Sequence, residues 1–219
     1  MHIPDGFLST GTSIAAWAVS AGGLGYALRR VNKTLGERQV PLMGVTAAFI
    51  FAAQMLNFTV IGGTSGHLLG GALAAILLGP WAGMLVLTSV LAVQALLLQD
   101  GGLLALGANV FNMAIVGVLV GWAVCAILSR LLGSRTWAVF VSGFLAGWLS
   151  VVLASLAAAA ELALSGTLAW QVVFPAMGAV HALIGVGEGL ITVAVLAFLR
   201  VVRPDLLTLG QTAQSETRS

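Results

Sequence analysis

Residues 103–129 read LLALGANVFNMAIVGVLVGWAVCAILS, without a single Asp, Glu, Lys or Arg. Crossing a hydrocarbon core of ~30 Å takes about 20 helical residues, and this stretch supplies them. Its apolar residues fall on both parities, unlike the alternating stretches of ~10 residues that build a membrane barrel. The rest of the chain is similar. Of its 219 residues 59% are hydrophobic and 7% are charged, and the mean hydropathy is +1.07. A soluble domain carries about 25% charged residues. Nine Lys and Arg with seven Asp and Glu cannot cover a water-soluble globule of this length. That excludes a cytosolic enzyme, a secreted domain and a disordered chain. A polytopic all-α integral membrane protein remains.

Apolar stretches at about 8–28, 41–61, 64–79, 81–98, 103–129, 137–163 and 170–199 predict the spans. The third and fourth meet at Gly79-Pro80, which permits either a tight turn or a kink. Charge counting decides. With seven spans all nine Lys and Arg lie on one side, in the 29–40 and 130–136 connections and after Leu199; with six, only the first four stay there. The positive-inside rule favours seven, with the N-terminus outside and residues 204–219 a polar cytoplasmic tail. Asp5, Asp100 and Glu161 then face outward. The basic residues edge the spans and form no patch for nucleic acid. Cys125 sits inside an apolar run as a packing thiol, with no Cys-x-x-Cys motif. Small-xxx-small steps such as Gly117–Gly121 and Gly143–Gly147, and the close pairs Gly22–Gly25 and Gly66–Gly70, predict close packing inside the bundle. No inverted repeat of the kind many secondary transporters show is visible.

Three histidines stand out. His2 and His67 fall at the same outer face, His67 ending the loop Gly62-Gly63-Thr64-Ser65-Gly66-His67. His181 lies in the last span with Glu188 seven residues on, on one stripe, and ionisable groups at that depth are functional candidates. Gln54, Gln94, Asn109 and Asn112 are available as their partners. His2 has a specific chemistry. A free amine followed by a second-position His offers the amine, the deprotonated His2 amide and the imidazole Nδ1, which close two fused chelate rings. The fourth corner of a square plane is left for another imidazole. Four nitrogens in a plane suit Ni(II), Cu(II) or low-spin Co(II) rather than tetrahedral Zn(II). The segment Met1-His2-Ile3-Pro4-Asp5-Gly6 has no Lys or Arg, so it reads as a mature terminus rather than a secretory signal.

At Met1-His2-Ile3-Pro4-Asp5-Gly6, Gly66-His67-Leu68-Leu69-Gly70-Gly71, Leu78-Gly79-Pro80-Trp81-Ala82-Gly83, Gln99-Asp100-Gly101-Gly102 and Ala105-Leu106-Gly107-Ala108-Asn109 the chain resembles the CbiM/NikM family. These are the substrate-binding (S) components of energy-coupling factor transporters for cobalt and nickel. The resemblance implies a metal held by the Met1 amine, the His2 amide and imidazole, and the His67 imidazole, with the N-terminal segment plugged into the bundle from outside. Asp5, Asn57, Thr64 and Ser65 are candidates to orient the imidazoles, and His181 is left structural. The resemblance also implies partners: a CbiQ-like transmembrane coupling subunit, a CbiO-like ATPase and a small CbiN-like accessory subunit, in a bacterial cytoplasmic (inner) membrane. No permanent cofactor is expected; Co(II), favoured, or Ni(II) is cargo. The sequence agrees on one point of its own: its only lysine, Lys33, lies in Val-Asn-Lys-Thr, so there is no P-loop and no enzyme here. The alternative is a self-sufficient proton- or ion-coupled secondary transporter using His181 and Glu188. An intramembrane enzyme fails for want of a His-Glu-x-x-His motif or a second intramembrane carboxylate.

Overall fold

The computed structural model describes residues 1–36, 39–60, 64–133 and 135–207, without the side chains of 57–60, 64 and 65. Gly62-Gly63 and the tail beyond 207 lie outside the described residues. Helix α1 (Thr10–Thr34) opens on Ser9, whose hydroxyl accepts the Thr12 amide and satisfies one orphan donor of the first turn. Helix α2 (Gln39–Gln54) leads into the antiparallel strands β1 (Asn57–Val60) and β2 (Thr64–His67). Helix α3 (Gly71–Val93) runs on through a π-helical turn to Leu98; α4 (Leu106–Asn109) continues through π-helical Val110–Gly117 into α5 (Val118–Leu132). Helices α6 (Thr136–Leu164) and α7 (Trp170–Val202) complete the bundle and pack along each other.

Four helical stretches, Gly71–Leu98, Leu106–Leu132, Thr136–Leu164 and Trp170–Val202, have the length and apolar composition of membrane spans, the first of them interrupted at Gly79, and α2 is a shorter apolar helix. The all-α reading therefore holds for everything but one hairpin. That hairpin corrects the third expected span, 64–79. Thr64–His67 is a strand paired with Asn57–Val60, and the helix starts only at Gly71. Its residues are Gly- and Thr-rich at the start and carry a positive-φ Gly70 (78°), which a helix interior rejects.

The join at Gly79-Pro80 is a reversal. Gly79 adopts φ 78°, ψ 171°, and a Cβ on Gly83 would lie 3.2 Å from the Ala74 carbonyl carbon. In a straight helix nine residues would separate them by ~13.5 Å. Residues 71–78 and 80–98 are thus two limbs folded against each other. Gly117 and Gly121 let α5 and its π-helical lead press on Leu69 and Ala72, and Gly143 and Gly147 let α6 meet Leu196 and Gly189 of α7. These steps serve internal packing, as expected; Gly22 and Gly25 on α1 meet nothing and face outward.

Candidate metal centre

The N-terminal segment is inside the protein. Met1 and Ile3 are fully buried and His2 nearly so. An extended segment buried without a sheet needs side chains to satisfy its backbone. Asn109 does this for Ile3, accepting its amide at 2.8 Å and donating to its carbonyl at 3.1 Å, while the Gly102 amide reaches the same carbonyl at 3.0 Å. Asp5 accepts the amides of Leu103, Leu104 and Ala105 at 3.1, 2.8 and 3.1 Å. Its carboxylate fastens the segment to the start of α4, where the free amides of a first turn favour an anion; it is spent there rather than on an imidazole. The Thr167 hydroxyl donates to the Phe7 carbonyl and ties the segment to the α6–α7 connection.

His67 arrives on β2, in register with Asn57. Asn57, Thr64 and Ser65 all lie on the hairpin, their side chains outside the described residues. Past His67 the chain leaves the sheet as a strap with no ladder to pair with. Gln54 donates to the Leu69 carbonyl at 2.7 Å. Glu188 accepts the Leu69 amide at 2.8 Å and the Gly70 amide at 2.6 Å. Gly70 cannot be replaced without movement, since a Cβ there would sit 2.6 Å from Ile50 Cγ1.

These two routes bring the imidazoles of His2 and His67 into a stack, with centroids 4.6 Å apart. Each ring has one nitrogen engaged. His2 Nε2 donates to Gln94 Oε1 at 3.1 Å, because Gln94 Nε2 itself donates to Gln54 Oε1 at 2.9 Å and so fixes the amide's orientation. His67 Nδ1 donates to the Leu68 carbonyl at 2.6 Å. His2 Nδ1 and His67 Nε2 are buried without a hydrogen-bond partner. Those are the two nitrogens the fused-chelate arrangement requires, each with the other ring nitrogen held as metal-binding histidines usually are. Burial lowers the Met1 amine to about 4, against a smaller opposing pull from Asp100. Burial and then the amine's charge lower His2 to about 3, and burial also takes His67 well below its ordinary value. All three groups are held in the neutral, ligating form.

The other polar groups fall into different roles. His181 and Glu188 do not pair. His181 Nδ1 donates to the Met177 carbonyl at 2.8 Å one turn earlier, and its Nε2 is buried without a partner. Gln54 serves the strap and Gln94 the His2 imidazole, while Asn112 donates to Glu161 at 2.6 Å. Reading the sequence by stripe could not reveal this, because the partners sit on α2 and two π-helical turns, where each extra residue rotates the following side chains off the 3.6 period. Asp100, unassigned by sequence, places Oδ1 3.3 Å from His2 Nδ1. Among the described residues no three His, Cys, Asp or Glu side chains form a metal-binding group; a centre here would have to draw on main-chain nitrogen.

Known proteins share this chain's sequence and fold. Residues 2–206 match the family profile of CbiM, the cobalt uptake substrate-specific transmembrane region. A protein of Archaeoglobus fulgidus that carries the name of a fused nickel transport protein, NikMN, is 44% identical over 94% of this chain and 68% of its own length. One from Haloquadratum walsbyi, carrying the name of a metal transport protein, is 42% identical over 94% of this chain and 93% of its own. A crystal structure of a transition metal transporter superposes with a TM-score of 0.85 at 36% identity, covering 92% of this chain and 93% of that one.

Proposed function

We propose that this chain, which belongs to the CbiM family of cobalt and nickel transport proteins, is the substrate-binding membrane subunit of an ATP-driven importer of the energy-coupling factor type. One observation carries the reading. His2 Nδ1 and His67 Nε2 lie buried without a hydrogen-bond partner, in stacked rings beside a buried N-terminus. The Met1 amine, the His2 amide, His2 Nδ1 and His67 Nε2 would hold the cargo in a plane, Co(II) first and Ni(II) close behind. The amide sheds its proton as metal binds, and this donor set admits no tetrahedral ion.

The chain crosses the bacterial cytoplasmic membrane seven times in this reading, N-terminus outside. Its third crossing is composite, an extended strap followed by the short helical limb 71–78. Non-helical backbone is tolerated at membrane depth only where protein satisfies it, and the contacts of Gln54 and Glu188 with the strap support this reading. Lacking a P-loop, the chain depends on a CbiO-like ATPase and a CbiQ-like coupling subunit. A CbiN-like partner is favoured by the fused NikMN name of the Archaeoglobus relative. The secondary-transporter alternative loses ground because both carboxylate oxygens of Glu188 are engaged by the strap, leaving no free relay beside His181.

The test is uptake of Co(II) in cells expressing this chain alone or with coupling and ATPase subunits. Accumulation only in the complete set is expected. Uptake by this chain alone, with the ATPase site inactivated, would return the secondary-transporter reading.

A further inference from the structure

The loop Gln99–Gly102 is built to aim one side chain at the metal centre. Gln99 takes φ 57°, a left-handed value rare outside Gly, and Gly101 takes φ 98°. The Asp100 amide is drawn back to the Gln94 carbonyl at 3.0 Å. Glycine follows twice because the N-terminal segment lies against it. A Cβ on Gly101 would stand 3.2 Å from His2 Cδ2, and one on Gly102 would collide with Asp5 at 2.1 Å. Local strain of this kind persists only where the surroundings enforce it, and it collects at functional sites.

What the loop presents is a carboxylate oxygen 3.3 Å from His2 Nδ1. The Nε2 proton of His2 is committed to Gln94, so Nδ1 offers a lone pair, and a carboxylate oxygen offers another. Two lone pairs facing each other repel unless a cation lies between them, and the entering metal is such a cation. A metal ion ~2.0–2.1 Å from Nδ1 has neighbouring donors at about this separation.

Charge gives the second argument. A divalent ion bound by one deprotonated amide and three neutral nitrogens keeps one net positive charge, surrounded by fully buried Met1, His67 and Gln94. An unbalanced charge in such surroundings is strongly disfavoured. Asp100 is the only carboxylate placed against these ligands among the described residues. Asp5 is spent on amides of residues 103–105 and Glu188 on the strap. Asp100 is 24% exposed where the ligands are closed off, so a hydrated cation arriving from outside meets it before it meets a nitrogen.

We propose that Asp100 is a further metal ligand: an oxygen donor that receives the entering cation and then stays as the axial donor and counter-ion of the loaded site. The proposal rests on the four-nitrogen reading above. It bears on cargo choice. A low-spin Ni(II) ion in a square plane has a filled orbital pointing at the axial position and gains little from a fifth donor. Low-spin Co(II) has one electron there and accepts it. Asp100 therefore favours Co(II) over Ni(II).

The experiment uses the full chain in detergent, loaded anaerobically with Co(II) or Ni(II), wild type against Asp100→Asn, which keeps shape and removes charge. The expected result is one metal per chain in both proteins, an electron paramagnetic resonance spectrum of Co(II) whose g-values shift in the variant, and a Co(II)-over-Ni(II) preference reduced about tenfold or more. Stopped-flow association should be slower in the variant and lose its dependence on salt, and Asp100→Glu should recover part of both. Unchanged spectrum, preference and association rate in Asp100→Asn would overturn the proposal and leave the four-nitrogen reading standing. Complete loss of metal from Asp100→Asn, with binding retained after acetylation of the Met1 amine, would overturn the four-nitrogen reading and, with it, the axial role of Asp100, making it a principal ligand instead. Should Asp100→Asn fail to fold, the wild-type Co(II) spectrum in 17O-enriched and ordinary water decides: broadening shows that the axial donor is water, and four-coordinate g-values show that there is none, either of which overturns the assignment, whereas five-coordinate g-values without broadening uphold it.

Discussion

The imidazoles of His2 and His67 lie ring against ring, centroids 4.6 Å apart and planes inclined by 27°, one from the chain terminus and one from the end of a hairpin. Neither is held by the other. Gln94 fixes the first and the Leu68 carbonyl the second, and the two supports join through Gln54, which links Gln94 to the Leu69 carbonyl. The stack is therefore a product of two buried segments whose backbones are satisfied from α2, α4 and α7.

The position of the amine should be decisive. Met1 is fully buried, and in the proposed coordination its nitrogen begins the fused chelate. Adding one residue before Met1, or acetylating the amine, displaces or removes a donor and breaks the five-membered ring. Bound Co(II) or Ni(II), read by elemental analysis, should fall together with uptake. Stoichiometric metal in the extended protein would contradict the coordination.

His67→Ala should lower affinity by at least about a hundredfold, since a direct ligand is worth more than the outer partners whose loss costs 10–100-fold. His181→Ala should leave one metal per chain, because the Nδ1 of His181 is tied to the Met177 carbonyl within its own helix. Equilibrium dialysis against a chelator reads both. Equal losses would make His181 a ligand as well.

Glu188 should matter without touching metal. Replacing it by Ala strands the buried Leu69 amide and the half-buried Gly70 amide. Each unsatisfied donor costs about 1–3 kcal/mol, so Glu188→Ala should lose about 2–6 kcal/mol and release the strap that positions His67. Glu188→Gln keeps one acceptor and should fall between. Thermal melting of the metal-free proteins provides the ranking, and identical melting of Glu188→Ala and wild type would show that the strap finds acceptors elsewhere.

How far the sequence alone reached follows from which interactions are local. Long uncharged runs made the rods from residue 71 onward legible, and a glycine beside a proline marked the reversal at Gly79. Met1 and His2 could be proposed from sequence because amine, amide and imidazole adjoin in the chain, whereas His67 entered through its place at the outer face and the family resemblance. The hairpin was not, since Asn57–Val60 and Thr64–His67 are only four residues each and border the apolar runs on either side, so hydropathy absorbed them into the expected spans. Nor was the stationing of Asp5 on the amides of 103–105, nor of Glu188 on the strap. Those contacts join residues about 100 or more positions apart, and no periodicity encodes them.

The pH response separates the buried site from an exposed one of the same composition. In an undocked N-terminal segment the amine titrates near 8 and the imidazoles near 6.5. Docked, the amine is lowered to about 4 and His2 to about 3, with burial the main cause, and His67 is lowered as well. The undocked state thus binds more protons between these limits, so docking is most favourable above pH 8 and weakens as pH falls towards 4, below which the amine contributes no further change. In the docked protein at pH 7 the amine and both rings are already neutral. Metal then displaces one proton, from the His2 amide, where an exposed site would also give up most of a proton from the amine and part of one from each ring. Calorimetric titration of Co(II) at pH 7 in buffers of differing ionisation enthalpy counts the released protons. About one per metal is expected for the docked site, and two or more would mean that the amine and the rings remain in water until the metal arrives.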